Sequence, residues 1–204
     1  MPVKDCQTEK LILDTAMRIF FTEGRMHATT QEIADEAGVN RTLIHYYFRS
    51  KKVLLDTLLK NARIEFSGNS DRILLSNLPF REKTEKFIGD FLNRLMKYPY
   101  LEPFITMNII QERFKNKKLP IPAEPPAAIK HYINEIDTEM KAGNIPGKDP
   151  AQFALNLFSL IVYPLLTKQI QIRLLDLDDK AYQKILNERK KIIMDTLLPV
   201  NTNK

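Results

Sequence analysis

The chain has 204 residues, 44% of them hydrophobic and 27% charged, with a formal net charge of +6. That length holds one sizeable core, or a small domain joined to a larger one, and the composition is globular rather than disordered. The lone Cys6 excludes an intrachain disulfide and a zinc ribbon, no window approaches a membrane span, and the N-terminus has no apolar signal core, so the expected location is the cytoplasm.

Ile12, Ala16, Ile19 and Phe20 recur at helical spacing and predict a first helix ending near Gly24. Thr30 is placed to cap a short helix over 31–37, which Gly38 stops. Asn40 caps the next, and Ser50 a longer one past Leu54, Leu55, Leu58 and Leu59. Beyond "SGNSD" (67–71), Phe87, Ile88, Phe91, Leu92 and Leu95 mark a helix that ends before Pro99. Residues 100–114 form another with Pro103 in its first turn, and "NKKLPIPAEPP" (116–126) is a connector. Ile129, Ile133, Ile136 and Met140 follow at helical spacing up to Gly143. Asp149 then caps an apolar helix opened by Pro150 and interrupted by Pro164. A last helix spans 179–198, with Tyr182, Ile185, Arg189, Ile192 and Leu197 near one face. The fold class is all-α, with about nine helices: an N-terminal helix-turn-helix domain over 1–66 and a C-terminal helical bundle over 67–204.

The charge changes sign inside "AGVNRTLIHYYFRSKK" (37–52). Residues 1–40 hold four cations against seven acids, a net −3; residues 41–63 hold six cations against one acid, a net +5. A concentrated positive patch is the footprint of polyanion binding, although charge runs are more often plain solvated faces. The same stretch meets the side-chain demands of a helix-turn-helix. Ile33, Ala34 and Ala37 are apolar or small where the two helices cross, Gly38 suits a left-handed turn, Val39 plugs it, and Ile44 buries the middle of the second helix.

"ATTQEIADEAGVNRTLIHYYFRSKKVLL" (28–55) resembles the DNA-binding segment of the TetR-type bacterial transcriptional regulators, and the likeness covers residues 8 to about 62. Many members carry Gly-Thr where this chain has Thr42–Leu43, and Tyr where it has His45. The resemblance implies that Thr30 touches phosphate and that Arg41 and Thr42 reach base edges, Arg being suited to guanine. It implies further that Tyr47 and Lys51 sit on backbone phosphates and that Tyr46 faces backbone or a base methyl. His45 is open between a base contact and packing between helices; Val39, Ile44 and Phe48 are core. The resemblance also implies a repressor that binds double-stranded DNA at a near-palindromic operator, as a homodimer paired through the last two helices. Without it, the favoured reading of those apolar helices is an intrachain core.

The resemblance places a small-molecule effector in the C-terminal helices. Candidate lining is Phe87, Phe91, Tyr100, Phe104, Met107, Tyr132, Phe158 and Tyr163, which suits a mainly apolar ligand; ordinary core packing is the alternative for each. Enzyme readings find no support. His27, His45 and His131 lack metal spacing, six scattered glycines make no phosphate cradle, and no cofactor or metal is expected. A second class stays open: an all-helical interaction protein whose basic helix contacts an acidic partner or a membrane surface.

Overall fold

Every regular element among residues 3–114 and 124–199, the residues described in the computed structural model, is helical. Most of the connector expected over 116–126 lies outside the described residues. The elements are α1 (Val3–Met17), a π-helical turn (Arg18–Thr22), α2 (Thr30–Ala37), α3 (Arg41–Phe48), α4 (Lys51–Leu74), α5 (Phe80–Lys97), α6 (Leu101–Phe114), α7 (Ala127–Lys141), α8 (Pro150–Leu166), α9 (Lys168–Leu174) and α10 (Asp179–Leu197). The all-α expectation holds; the two elements beyond nine are the π turn and α9. Contacts gather the chain into two units, Met1–Phe66 with Lys97–Leu119 and Ser67–Met96 with Pro120–Lys204.

In the first unit, Ile12, Ala16, Ile33, Ala34, Ile44, Phe48, Leu54 and Leu58 form one buried cluster. The π turn lets three consecutive residues, Ile19, Phe20 and Phe21, join it. A regular α-helix would spread them by about 100° per residue, whereas the wider turn, closed by Glu23 N–H on the Arg18 carbonyl, brings all three inward. α6 completes this core. The Phe104 ring centroid lies 5.8 Å from that of Phe20 and 5.4 Å from that of Phe21, and Tyr100 N–H donates to the Phe21 carbonyl at 3.0 Å. Beside it Gly24, at φ +71, leaves room for the Tyr100 ring; a Cβ there would stand 2.8 Å from the ring carbons.

The caps follow short-range chemistry. Asn40 Oδ1 accepts from Thr42 N–H at 2.8 Å, Ser50 Oγ from Val53 N–H at 3.2 Å and Asp149 Oδ1 from Ala151 N–H at 2.8 Å, each as expected. The cap of α2 is Thr29, not Thr30. Thr29 Oγ1 accepts Glu32 N–H while the Glu32 carboxylate accepts Thr29 N–H at 2.7 Å, a reciprocal capping box.

In the second unit, α5, α7, α8 and α10 enclose a core of Phe87, Ile88, Tyr132, Ile136, Leu157, Ile161 and Ile193. Lys83 is only 1% exposed, and its amine donates to both Glu135 oxygens at 2.6 and 2.7 Å. Pro164 has no N–H to offer the Leu160 carbonyl. Arg189 Nε from α10 donates to that carbonyl at 3.0 Å, and Tyr182 OH donates to the Pro164 carbonyl at 2.7 Å. Beyond the proline, α9 leaves α8 at a bend of 78°. The inward face of α10 is Tyr182, Leu186, Ile193, Met194 and Leu197. Ile185 and Ile192, expected on that face, are exposed, because the buried stripe runs one residue later. No single helix among the described residues is long and apolar enough to cross a membrane.

Candidate nucleic-acid interface

The helix-turn-helix is built by α2 and α3. Gly38 has φ +65, the left-handed conformation that ends α2, and its N–H bonds back to Asp35. Val39 is half-buried against the core, and Asn40 restarts the chain as α3. Ile44 and Phe48 anchor α3 in the cluster. That anchoring leaves Arg41, Thr42, His45, Tyr46 and Arg49 exposed, at i, i+1, i+4, i+5 and i+8, as one continuous stripe. Tyr46 is 69% exposed.

The remaining candidates border this stripe. Thr30, the first residue of α2, and Tyr47 are half-buried. The Tyr47 ring packs edge-on against Tyr46 with centroids 5.1 Å apart. Lys51 opens α4 with its amine 5.6 Å from the Phe20 ring centroid, and burial pushes its pKa down. His45 does not pack between helices. It is exposed, and its ring Nδ1 lies 3.1 Å from the Arg49 carbonyl oxygen. Two contributors were missed at the sequence level. Thr29 was readable, since Thr29-x-x-Glu32 is a capping-box pattern. The left-handed Arg49, at φ +58, carries no residue-type signal.

Three of the seven acids in the first forty residues, Glu23, Glu32 and Glu36, are paired beside the motif. Arg18 bonds Glu23 and reaches Glu36 at 2.6 Å; Arg25 bonds Glu36 and lies 3.3 Å from Glu32 and 3.5 Å from Glu23. This net ties the end of the π turn to α2. Hydrogen bonds from Arg25 and then Arg18 hold the Glu36 carboxyl below its ordinary pKa of 4.5. A carboxylate depressed by folding stabilises the native state fully above that ordinary value, and the contribution is lost as pH falls through the lower folded one. Wild type is therefore expected to melt at a higher temperature than Glu36→Gln at neutral pH. The gap should narrow as pH falls below that ordinary value in paired thermal melts; a pH-independent gap would show that the ion pairs are not its source.

The family model for "Bacterial regulatory proteins, tetR family" matches residues 12–58, the span from α1 into α4 that holds the motif and its exposed stripe. Residues 12–58 are thus similar to the DNA-binding segment of that family. The chain is 24% identical over 158 residues to the uncharacterized HTH-type transcriptional regulator YhgD of Bacillus subtilis, covering 76% of this chain and 80% of that one. Likeness to the regulator BetI of Rhizobium meliloti, 38% over 52 residues, spans only 26% of either chain. A TetR-family regulator from Haemophilus influenzae matches at TM-score 0.53 and 16% identity, over 93% of this chain and 98% of its own. A TetR regulator from Haloarcula marismortui matches at 0.61 and 17%, over 95% and 99%. At such identities the likeness speaks for fold alone.

The eight candidate lining residues are distributed between the two units. In the second, the rings of Phe87, Phe91, Phe158 and Tyr132 pack against one another with neighbouring centroids 5.8–6.1 Å apart. Tyr132 OH shares a 2.7 Å hydrogen bond with the Thr84 hydroxyl, and burial pushes its pKa up. Tyr163 is exposed and borders a hollow with Ser159, Pro164 and Arg189. In the first unit, Phe104 is buried against Phe20 and Phe21, Tyr100 lies against Gly24, and Met107 lines a hollow with Met26, His27 and Glu32.

Proposed function

We propose that this regulator represses transcription by binding a near-palindromic operator as a homodimer, each α3 entering one major groove. The observation that carries the reading is the α3 stripe. Arg41 and Thr42 at its N-terminal end and His45 and Tyr46 behind them are exposed on a helix whose opposite side is locked into the core. Thr30, Tyr47 and Lys51 flank it as phosphate contacts. One eight-residue helix reads about half a site, so two copies about one helical turn apart are needed for a specific operator.

The pairing surface in this reading is the outer side of α8 and α10. Leu155, Ser159 and Tyr163 recur every fourth residue of α8 in exposed positions, and Ile185 and Ile192 are exposed on α10. These side chains, apolar apart from the small Ser159, suit an intersubunit four-helix bundle. A small, mainly apolar effector would act by parting the Phe87–Phe91–Phe158 cluster. To release DNA it must favour the DNA-incompetent state by roughly 1–3 kcal/mol or more of coupling.

Selection of bound sequences from a random DNA pool at stated salt tests the reading. A symmetric site with half-sites about 10 base pairs apart, bound by a species of twice the monomer mass, is the expected result. Binding without sequence preference, or by monomers, overturns it. For the effector, apolar compounds are expected to raise the melting temperature and displace operator; success of polar compounds alone would refute the apolar assignment.

A further inference from the structure

His45 is joined to one neighbour twice. Its carbonyl accepts Arg49 N–H at 3.0 Å, and its ring Nδ1 stands 3.1 Å from the Arg49 carbonyl oxygen. A carbonyl oxygen can only accept, so Nδ1 carries the proton. In the neutral ring the other nitrogen, Nε2, is then left with a lone pair and no hydrogen. The group that sets this tautomer is itself confined. Arg49 sits at φ +58, outside the conformations most side chains adopt, and the next N–H, that of Ser50, is turned back onto the Phe48 carbonyl. The imidazole is thus an exposed ring of defined polarity, one turn beyond Arg41 on the same stripe.

We infer that His45 is a specificity-determining residue, its Nε2 accepting a hydrogen bond from an exocyclic base amino group, adenine N6 or cytosine N4, in the major groove. This rests on the reading of α3 as the helix that enters the groove. Those two amino groups are the major-groove donors, whereas guanine and thymine present acceptors at the corresponding edges. A bare lone pair at Nε2 therefore attracts the first two bases and repels the others. Arg41, which carries donors alone, has the opposite demand and suits guanine. The two residues are four apart on one helix face, so a donor and an acceptor are presented side by side. A tyrosine at position 45 would lack this ring-to-carbonyl tie, and its hydroxyl could both donate and accept. The rival account is that the ring merely caps α3, in which case its loss would weaken binding to every sequence alike.

The test uses the full chain and pool selection with wild type, His45→Phe and His45→Gln. Wild type is expected to enrich adenine or cytosine at one position of each half-site. His45→Phe should lose that enrichment while keeping the rest of the site, and His45→Gln, with its own amide, should keep or move it towards adenine. The base found separates the adenine and cytosine arms. Replacing that base by its analogue lacking the amino group should weaken wild-type binding about five- to tenfold and leave His45→Phe unaffected. An unchanged base preference in His45→Phe, or equal loss with the analogue in both proteins, overturns the inference and leaves the DNA reading standing. Failure of wild type to select any sequence overturns the DNA reading itself, and this inference with it.

Discussion

Replacing Arg41 by alanine is expected to cost more on the selected operator than on any other duplex. Arg41 is the first residue of α3, its side chain is exposed, and no carboxylate among the described residues pairs with it. Its guanidinium can reach a guanine with two parallel hydrogen bonds, an arrangement worth about 1–3 kcal/mol of discrimination. That is roughly 5- to 150-fold in affinity per half-site. Nonspecific binding depends on the number of phosphates neutralised and should fall only by the share of one cation. Titrations of operator and scrambled duplex at one fixed salt concentration read both quantities. Equal losses on the two duplexes would reduce Arg41 to a phosphate contact.

Glu135→Ala is expected to destabilise the second unit far more than Lys83→Met, although both break the same ion pair. Removing Glu135 leaves the Lys83 ammonium 1% exposed with its carboxylate gone, and an uncompensated buried charge costs about 3–5 kcal/mol. Glu135 is itself 29% exposed, so water can enter the vacated space and the lower end, about 3 kcal/mol, is expected. Lys83→Met keeps the buried stem and removes the charge, leaving Glu135 at a position water already reaches; a change within about 1 kcal/mol follows. Urea unfolding of both variants beside wild type measures the difference. Comparable losses would mean that the pair contributes through packing and not through charge.

Much of the fold was readable because it is written locally. Asn40, Ser50 and Asp149 mark helix starts by hydrogen bonds within three residues, Pro150 does so by its fixed backbone angle, and Gly38 marks a stop through its own backbone. The exposed stripe on α3 was readable for the same reason, since Ile44 and Phe48 fix which side faces inward. What escaped depends on partners distant in sequence. The π turn at Arg18–Thr22 is filled by Phe104, more than eighty residues away, and residues 18–22 alone are compatible with an ordinary helix. The aromatic candidates for the effector site share a residue type but not a location. Phe104 answers to Phe20 and Phe21, Phe87 to Tyr132 and Phe158, and helical spacing within one segment cannot tell these apart. His45 was undecidable for another reason: its role depends on the left-handed backbone of Arg49.

The break at Pro164 constrains how the second unit can move. Leu160 and Pro164 give up their carbonyl oxygens to Arg189 and Tyr182, seven residues apart on α10. Sliding α10 along α8 by even one residue would withdraw both donors together and leave two acceptors stranded beside the bend. The two helices therefore travel as one piece. A displacement arriving at either must pass through the pair as a tilt, because shear between them is opposed by both clamps at once.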